Sequence, residues 1–133
     1  MDKEFNERYL DTGIFTYTDD GFDLDRSDDV ADRTDHIKWT GIRAMFAYKI
    51  DRYVVDDISL DVFCDNNESF HVTEESPGWY QFLENIAAQF PSIDKDWHIE
   101  IAAPAFETKL TLIYEREGRT LDETKGIYYL ENR

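Results

Sequence analysis

The chain has 133 residues, 41% of them hydrophobic and 15% aromatic, with 30 acidic side chains against 14 basic ones for a net charge of −16. A chain of this length buries enough surface for one self-sufficient core, and its apolar content excludes a disordered polyelectrolyte. The charge repels nucleic acid and anionic membranes, and it favours cations or basic proteins as partners. Residues 1–133 are therefore read as a single domain. The first residues, MDKEFNERYL, lack the apolar stretch of a signal peptide, and no apolar run approaches a membrane span, so a cytoplasmic location is expected. The lone Cys64 excludes an intramolecular disulfide.

Half of the net charge falls in residues 1–36, which carry 12 acids and 4 bases. Within that stretch, YTDDGFDLDRSDD (17–29) holds six Asp. Phe15 and Tyr17 alternate with Thr16 and Thr18, and Phe22 and Leu24 alternate with Asp23 and Asp25. Asp20-Gly21 is a tight-turn signal, which predicts a hairpin with Asp19 opposite Phe22, Tyr17 opposite Leu24 and Thr18 opposite Asp23. That pairing gathers the large apolar groups on one face and the carboxylates on the other. Residues 26–36 show no strong period and predict a loop or a short helical turn.

A short strand is expected at 36–39 and a longer one at 42–50. In the longer strand Ile42, Ala44, Phe46, Tyr48 and Ile50 alternate with Arg43 and Lys49, while Met45 and Ala47 share the second face. ISLDVFC (58–64) puts Ile58, Leu60, Val62 and Cys64 inward. After a DNNE turn, SFHVTE (69–74) puts Phe70 and Val72 inward, so these two strands predict a second hairpin.

The period then changes. Trp79, Phe82, Leu83, Ile86, Ala87 and Phe90 follow the i, i+3, i+4, i+7 spacing of one helical stripe over about 78–90. Ser76 is placed as its cap, Pro77 in its first turn and Pro91 as its stop. WHIEIA (97–102) and KLTLIYERE (109–117) return to period two, and the tail GIYYLENR is assigned to an edge strand or a loose end. Strands, one helix, then more strands give an α+β class: a bent antiparallel sheet or partly open barrel carrying one main amphipathic helix.

Tests for chemistry mostly fail. Placing Gly21 at position 6 of a calcium loop puts Thr16, Thr18 and Asp20 at the first ligand positions and Ser27 where a Glu is needed. His36, His71, His98 and Cys64 have no zinc-site spacing, and the histidines are read as structural. Cys64 on an apolar face reads as an inert thiol. The adjacent pairs Asp56-Asp57 and Glu74-Glu75 could do acid–base work, but such pairs arise by chance in so acidic a chain. No catalytic residue, metal site or cofactor is assigned. Trp39, Trp79 and Trp97 are assigned to the core. Phe63 and Tyr80 point away from their inferred apolar faces, into a contact patch or a second packed layer.

The runs IKWTGIRAMFAYKIDRYVVDDISLDVF and EESPGWYQFLENIAAQFP resemble bacterial pleckstrin-homology-like domains over roughly residues 12–91, with Trp39 and Ile42 on a strand and Trp79, Phe82, Leu83 and Ile86 on the helix. The resemblance implies a strongly bent antiparallel sheet closed by that helix. It carries no lipid binding over, because the basic patch of lipid-binding members is missing, and the chain continues some forty residues past the helix. The second half is also similar to small acidic bacterial proteins, some of them suspected immunity partners of toxins.

The expected function is a non-enzymatic binding module. Its acidic face, led by Asp19, Asp20, Asp23, Asp25, Asp28, Asp29, Asp32 and Asp35, would dock a basic protein such as a toxin or nuclease. Two other classes stand beside it. A small enzyme or ligand-binding domain would show a concave pocket with convergent polar groups. A structural or assembly protein would show an apolar surface or a free sheet edge. A DNA mimic would need carboxylates spaced like phosphates. The oligomeric state is not legible in the sequence.

Overall fold

The computed structural model describes residues 13–26, 33–51, 56–94, 96–97 and 110–130. All of the predicted strand at 97–102 but Trp97, and with it His98, and also Asp28, Asp29 and Asp32 lie outside the described residues. Period-two alternation forms strands wherever it was read within them. A three-stranded antiparallel sheet contains β1 (Phe15–Tyr17), β2 (Gly21–Arg26) and β3 (Arg33–Lys38) in that order. A second antiparallel sheet contains β4 (Ile42–Asp51), β5 (Asp56–Cys64), β6 (Ser69–Thr73) and β7 (Thr111–Glu115) in the order β6-β5-β4-β7. A 3-10 turn at Trp39–Gly41 carries the chain from one sheet to the other. The class is thus α+β, with two sheets and, among the described residues, no closed barrel.

The first hairpin is real, but its turn sits one residue earlier than expected. Phe15 faces Leu24, Thr16 faces Asp23 and Tyr17 faces Phe22. The Thr18 amide donates to the Gly21 carbonyl at 3.0 Å, so the turn residues are Asp19 and Asp20. Moving the turn by one residue shifts the pairing by two, which leaves every side chain on its expected face. Gly21 serves a different need from the one its position suggested. A Cβ there would lie 2.0 Å from the Ile37 carbonyl oxygen, so the glycine lets β3 approach β2. Residues 33–38 form β3 where a loop or helical turn was expected for most of them, because pairing with β2 supplies the order that their own sequence pattern lacks.

Helix α1 (Trp79–Gln89) buries Trp79, Phe82 and Ile86 from the predicted stripe. Its cap is Gly78, left-handed at φ 89°, with no side-chain cap bond. Ser76 instead accepts a bond from the Thr73 amide at 3.0 Å, so it closes the end of β6 rather than capping the helix. The Phe82 ring stacks on Phe15 at 4.5 Å and meets Phe22 and Phe70 edge-on at 5.4 and 6.0 Å. One helical side chain therefore touches both sheets. Trp39, Trp79 and Trp97 are all buried in the same core, as is the Cys64 thiol.

Strand β4 departs from its predicted facing. Ile42 pairs with Cys64 and Ala44 with Phe63, so Arg43 is an extra residue that bulges the strand. Beyond the bulge Met45 and Ala47 enter the main core, and Ala44 and Phe46 turn to the opposite side. That side has its own cover. Residues 126–130 of the tail, assigned to an edge strand or a loose end, are instead helical: α2 (Leu121–Lys125) continues into a wider π-type turn, Gly126–Leu130. Thr120 and Glu123 form a capping box, with Glu123 N to Thr120 Oγ1 at 3.4 Å and Thr120 N to Glu123 Oε1 at 3.0 Å. Ala44, Phe46 and Tyr128 form a second buried cluster, backed by Phe63, Leu112, Leu121 and Tyr129. Phe63 thus belongs to a second packed layer, while Tyr80 packs partly buried on the main core.

Glu115 fastens this second layer. Its side chain is 1% exposed. It accepts bonds from the Glu117 and Arg119 amides at 2.9 and 3.0 Å, from Arg119 Nη2 at 3.0 Å and from the Tyr128 hydroxyl at 3.2 Å. Burial pushes the Glu115 carboxyl up, but the Arg119 and amide bonds outweigh it and hold the carboxyl below its ordinary value.

Two stability effects are expected. Gly21→Ala forces a methyl group against the Ile37 carbonyl and should cost about 1–3 kcal/mol in denaturant unfolding. A depressed carboxyl stabilises the fold above its unfolded pKa, about 4.3 for Glu, and that contribution fades as pH falls through the lower folded value. Stability measured across this acid window should fall more steeply in the wild type than in Glu115→Gln.

Candidate functional site

Two surface regions gather polar chemistry. The first is the outer face of the β1-β2-β3 sheet. Alternation on β2 sends Asp23 and Asp25 outward, and cross-strand pairing sets His36 opposite Asp23 and Thr34 opposite Asp25. Asp19 and Asp20 stand exposed at the turn. Of the expected docking residues, these four share one side. Asp35 does not join them, because it pairs with Leu24 and so takes the inward face of the sheet. Nothing is described for Asp28, Asp29 or Asp32.

His36, read from the sequence as a structural histidine, lies between two of these carboxylates. Its Nδ1 is 2.7 Å from Asp23 Oδ1 and its Nε2 is 3.2 Å from Asp20 Oδ1. The bond to Asp23, aided by the charges of Asp20 and Asp23, raises the His36 pKa from its ordinary value. Asp20 also accepts the Thr18 hydroxyl at 3.0 Å, and this bond, with smaller help from His36 and Lys38, lowers its carboxyl pKa. The face is acidic, with one histidine able to offset part of its charge.

The second region was not legible in the sequence. On the side of β5 that meets the second layer, Asp61 sits directly opposite His71 of β6. Asp61 Oδ1 is 2.7 Å from His71 Nδ1 and accepts the Tyr48 hydroxyl at 3.4 Å, and Oδ2 accepts the Tyr129 hydroxyl at 2.7 Å. Burial, then the bond to Asp61 and its charge, pushes the Tyr129 phenol far above its ordinary value, so it remains a donor. Asp61, His71 and Tyr129 line an open groove of about 480 Å³ with Phe63, Ser69 and Tyr128. The Thr120-x-x-Glu123 capping signature could have placed the helix that brings in Tyr129. No local signal could have placed Tyr129 against Asp61, 68 residues away.

Glu74 accepts the Ile58 amide at 2.8 Å and so closes the β5–β6 hairpin. Asp57 is buried at 3% exposure. Among the described residues, no group of three or more His, Cys, Asp or Glu side chains could hold a metal ion. No helix among them is long and apolar enough to cross a membrane.

A histidine raised by carboxylate partners stabilises the fold below its unfolded pKa, about 6.5, and that stabilisation is lost as pH rises through the higher folded value. Proton NMR titration should place the His36 midpoint above this unfolded value. Asp23→Asn, which removes the leading cause, should return it toward 6.5; an unchanged midpoint would break the assignment.

Comparison with protein-family models, curated proteins and solved structures finds no match to this chain.

Proposed function

We propose that the protein is a non-enzymatic binding module whose acidic hairpin docks a basic protein partner. The observation that carries this reading is the gathering of Asp19, Asp20, Asp23 and Asp25 on one side of the first sheet. The net charge of −16 extends the same field over the molecule. Such a field steers a basic partner into encounter and sets orientation more than it sets final affinity. The exposed turn lets Asp19 and Asp20 reach a partner surface first, while His36 braces Asp20 against Asp23.

An immunity protein that blocks a basic toxin fits this chemistry. A row of carboxylates on a firm hairpin can occupy a cleft built to hold phosphate, and a nuclease offers such a cleft. The pleckstrin-homology-like reading of the architecture rests on the Trp79, Phe82, Ile86 stripe packed on strands, while Trp39, which the resemblance places on a strand, lies in the 3-10 turn. It brings no lipid function, since an anionic surface repels the headgroups concerned. A cytoplasmic location agrees with the same charge and with the reduced Cys64 thiol.

Binding partners recovered from native extract on the immobilised chain at low salt provide the test. A basic protein released by a salt gradient is expected. Replacing Asp19, Asp20, Asp23 and Asp25 together by Asn should slow its association about tenfold or more and flatten the salt dependence. Unchanged association and an unchanged salt slope would remove the hairpin as the docking face.

A further inference from the structure

We propose that the groove floored by Asp61 and His71 and walled by Phe63 and Tyr129 is a small-molecule site for a protonated arylalkylamine. This site is separate from the acidic hairpin and does not depend on the docking reading.

The argument starts from hydrogen-bond capacity. Asp61 offers two carboxylate oxygens, and donors already hold both: His71 and Tyr48 on one, Tyr129 on the other. Three donors take most of its roughly four acceptor sites, so the carboxylate acts chiefly to hold His71 and Tyr129 in place. A carboxylate only accepts, so the His71 nitrogen 2.7 Å away, Nδ1, carries the proton. In the Nδ1–H tautomer the Nε2 lone pair is left as an acceptor, and the side chain is 46% exposed. Neighbouring Ser69 lines the same groove and adds a hydroxyl.

The walls are aromatic. Phe63 meets Tyr128 and Tyr129 with ring centroids at 5.1 and 5.2 Å, and Phe46 locks behind Tyr129 at 5.1 Å. Tyr129 is tied at its hydroxyl by Asp61, and Tyr128 by Glu115, so both rings are held before any ligand arrives. Preorganised walls lose little entropy on binding. Arg43 already lies over the Tyr128 ring, 5.1 Å from its centroid, so Phe63 and Tyr129 are the rings left to meet a flat apolar body and a cation. The Nε2 acceptor suits an N–H donor, and the negative field of the chain concentrates cations at its surface. A ring joined to an ammonium by a short linker satisfies all three, and the groove of about 480 Å³ admits a molecule of that size.

Phenethylamine is the probe, titrated into the full chain at neutral pH and moderate salt and followed by the ring resonances of His71. The chain has three histidines, so single variants assign the signal. Phenylacetate, of like shape and opposite charge, is run beside it. The expected result is saturable movement of the His71 resonances by the amine, with no saturation by the acid. By calorimetry His71→Ala, an exposed position, should weaken amine binding about tenfold, and Asp61→Asn should weaken it less. Absence of saturable binding, equal or tighter binding of phenylacetate, or unchanged affinity in His71→Ala would each overturn the proposal.

Discussion

The packing of the Phe82 ring is the contact on which the described fold depends. It stacks on Phe15 and meets Phe22 from the first sheet, and it touches Phe70 from the second. Among the described residues, no strand pair links the two sheets. Their union therefore rests on the Trp39–Gly41 turn and on side chains, and the helix supplies the central one. Aromatic rings suit this role because edge and face contacts let one side chain meet neighbours from several directions. Trp39 and Phe90 extend the same cluster, and Phe90 reaches Tyr114 on β7 at 4.5 Å. This interior seam sets the first hairpin against the second sheet.

The second sheet has a further constraint: it is packed on both faces near β4. An ordinary half-exposed strand alternates apolar with polar. β4 carries Met45 and Ala47 toward one core and Ala44 and Phe46 toward another, and the bulge at Arg43 sets which is which. The helical tail supplies the cover for the second face, and Glu115 and Asp61 anchor its tyrosines. Among the described residues, the aromatic groove lies where the tail's tyrosines meet Asp61, Ser69 and His71.

The acids accordingly divide by role. Glu115 is a buried acceptor joining β7 to the tail, and Asp61 is an acceptor joining β5 to β6 and the tail. Asp65 receives both Arg116 Nη1 at 3.2 Å and Nη2 at 2.7 Å, a bidentate pair on the surface. Asp19 and Asp20 at the hairpin turn and Asp25 on β2 remain exposed. A bulk charge of −16 treats all of these alike, yet only the exposed groups can meet a partner. The electrostatic argument for docking is therefore stronger when made from these three exposed carboxylates, with the half-buried Asp23 beside them, than from composition.

Local periodicity determined much of this protein by itself. Strands follow period two at 15–17, 42–51, 56–64 and 69–73, and a helix follows the apolar stripe that ends before Pro91, because side-chain direction repeats with backbone geometry whatever the distant context. The apolar face of the first hairpin was likewise legible. Tertiary structure alone decided the rest. The turn moved to Asp19-Asp20 while β3 came close over Gly21, an approach between segments separated in sequence. Asp35 went inward because its partner on β2 is Leu24. The inward face of β4 reversed because one extra residue, Arg43, rotates all that follow. The Asp61 groove required a tyrosine from the far end of the chain. Each of these depends on which remote backbone pairs with which, and a pattern of residue types carries side-chain direction but not pairing partner.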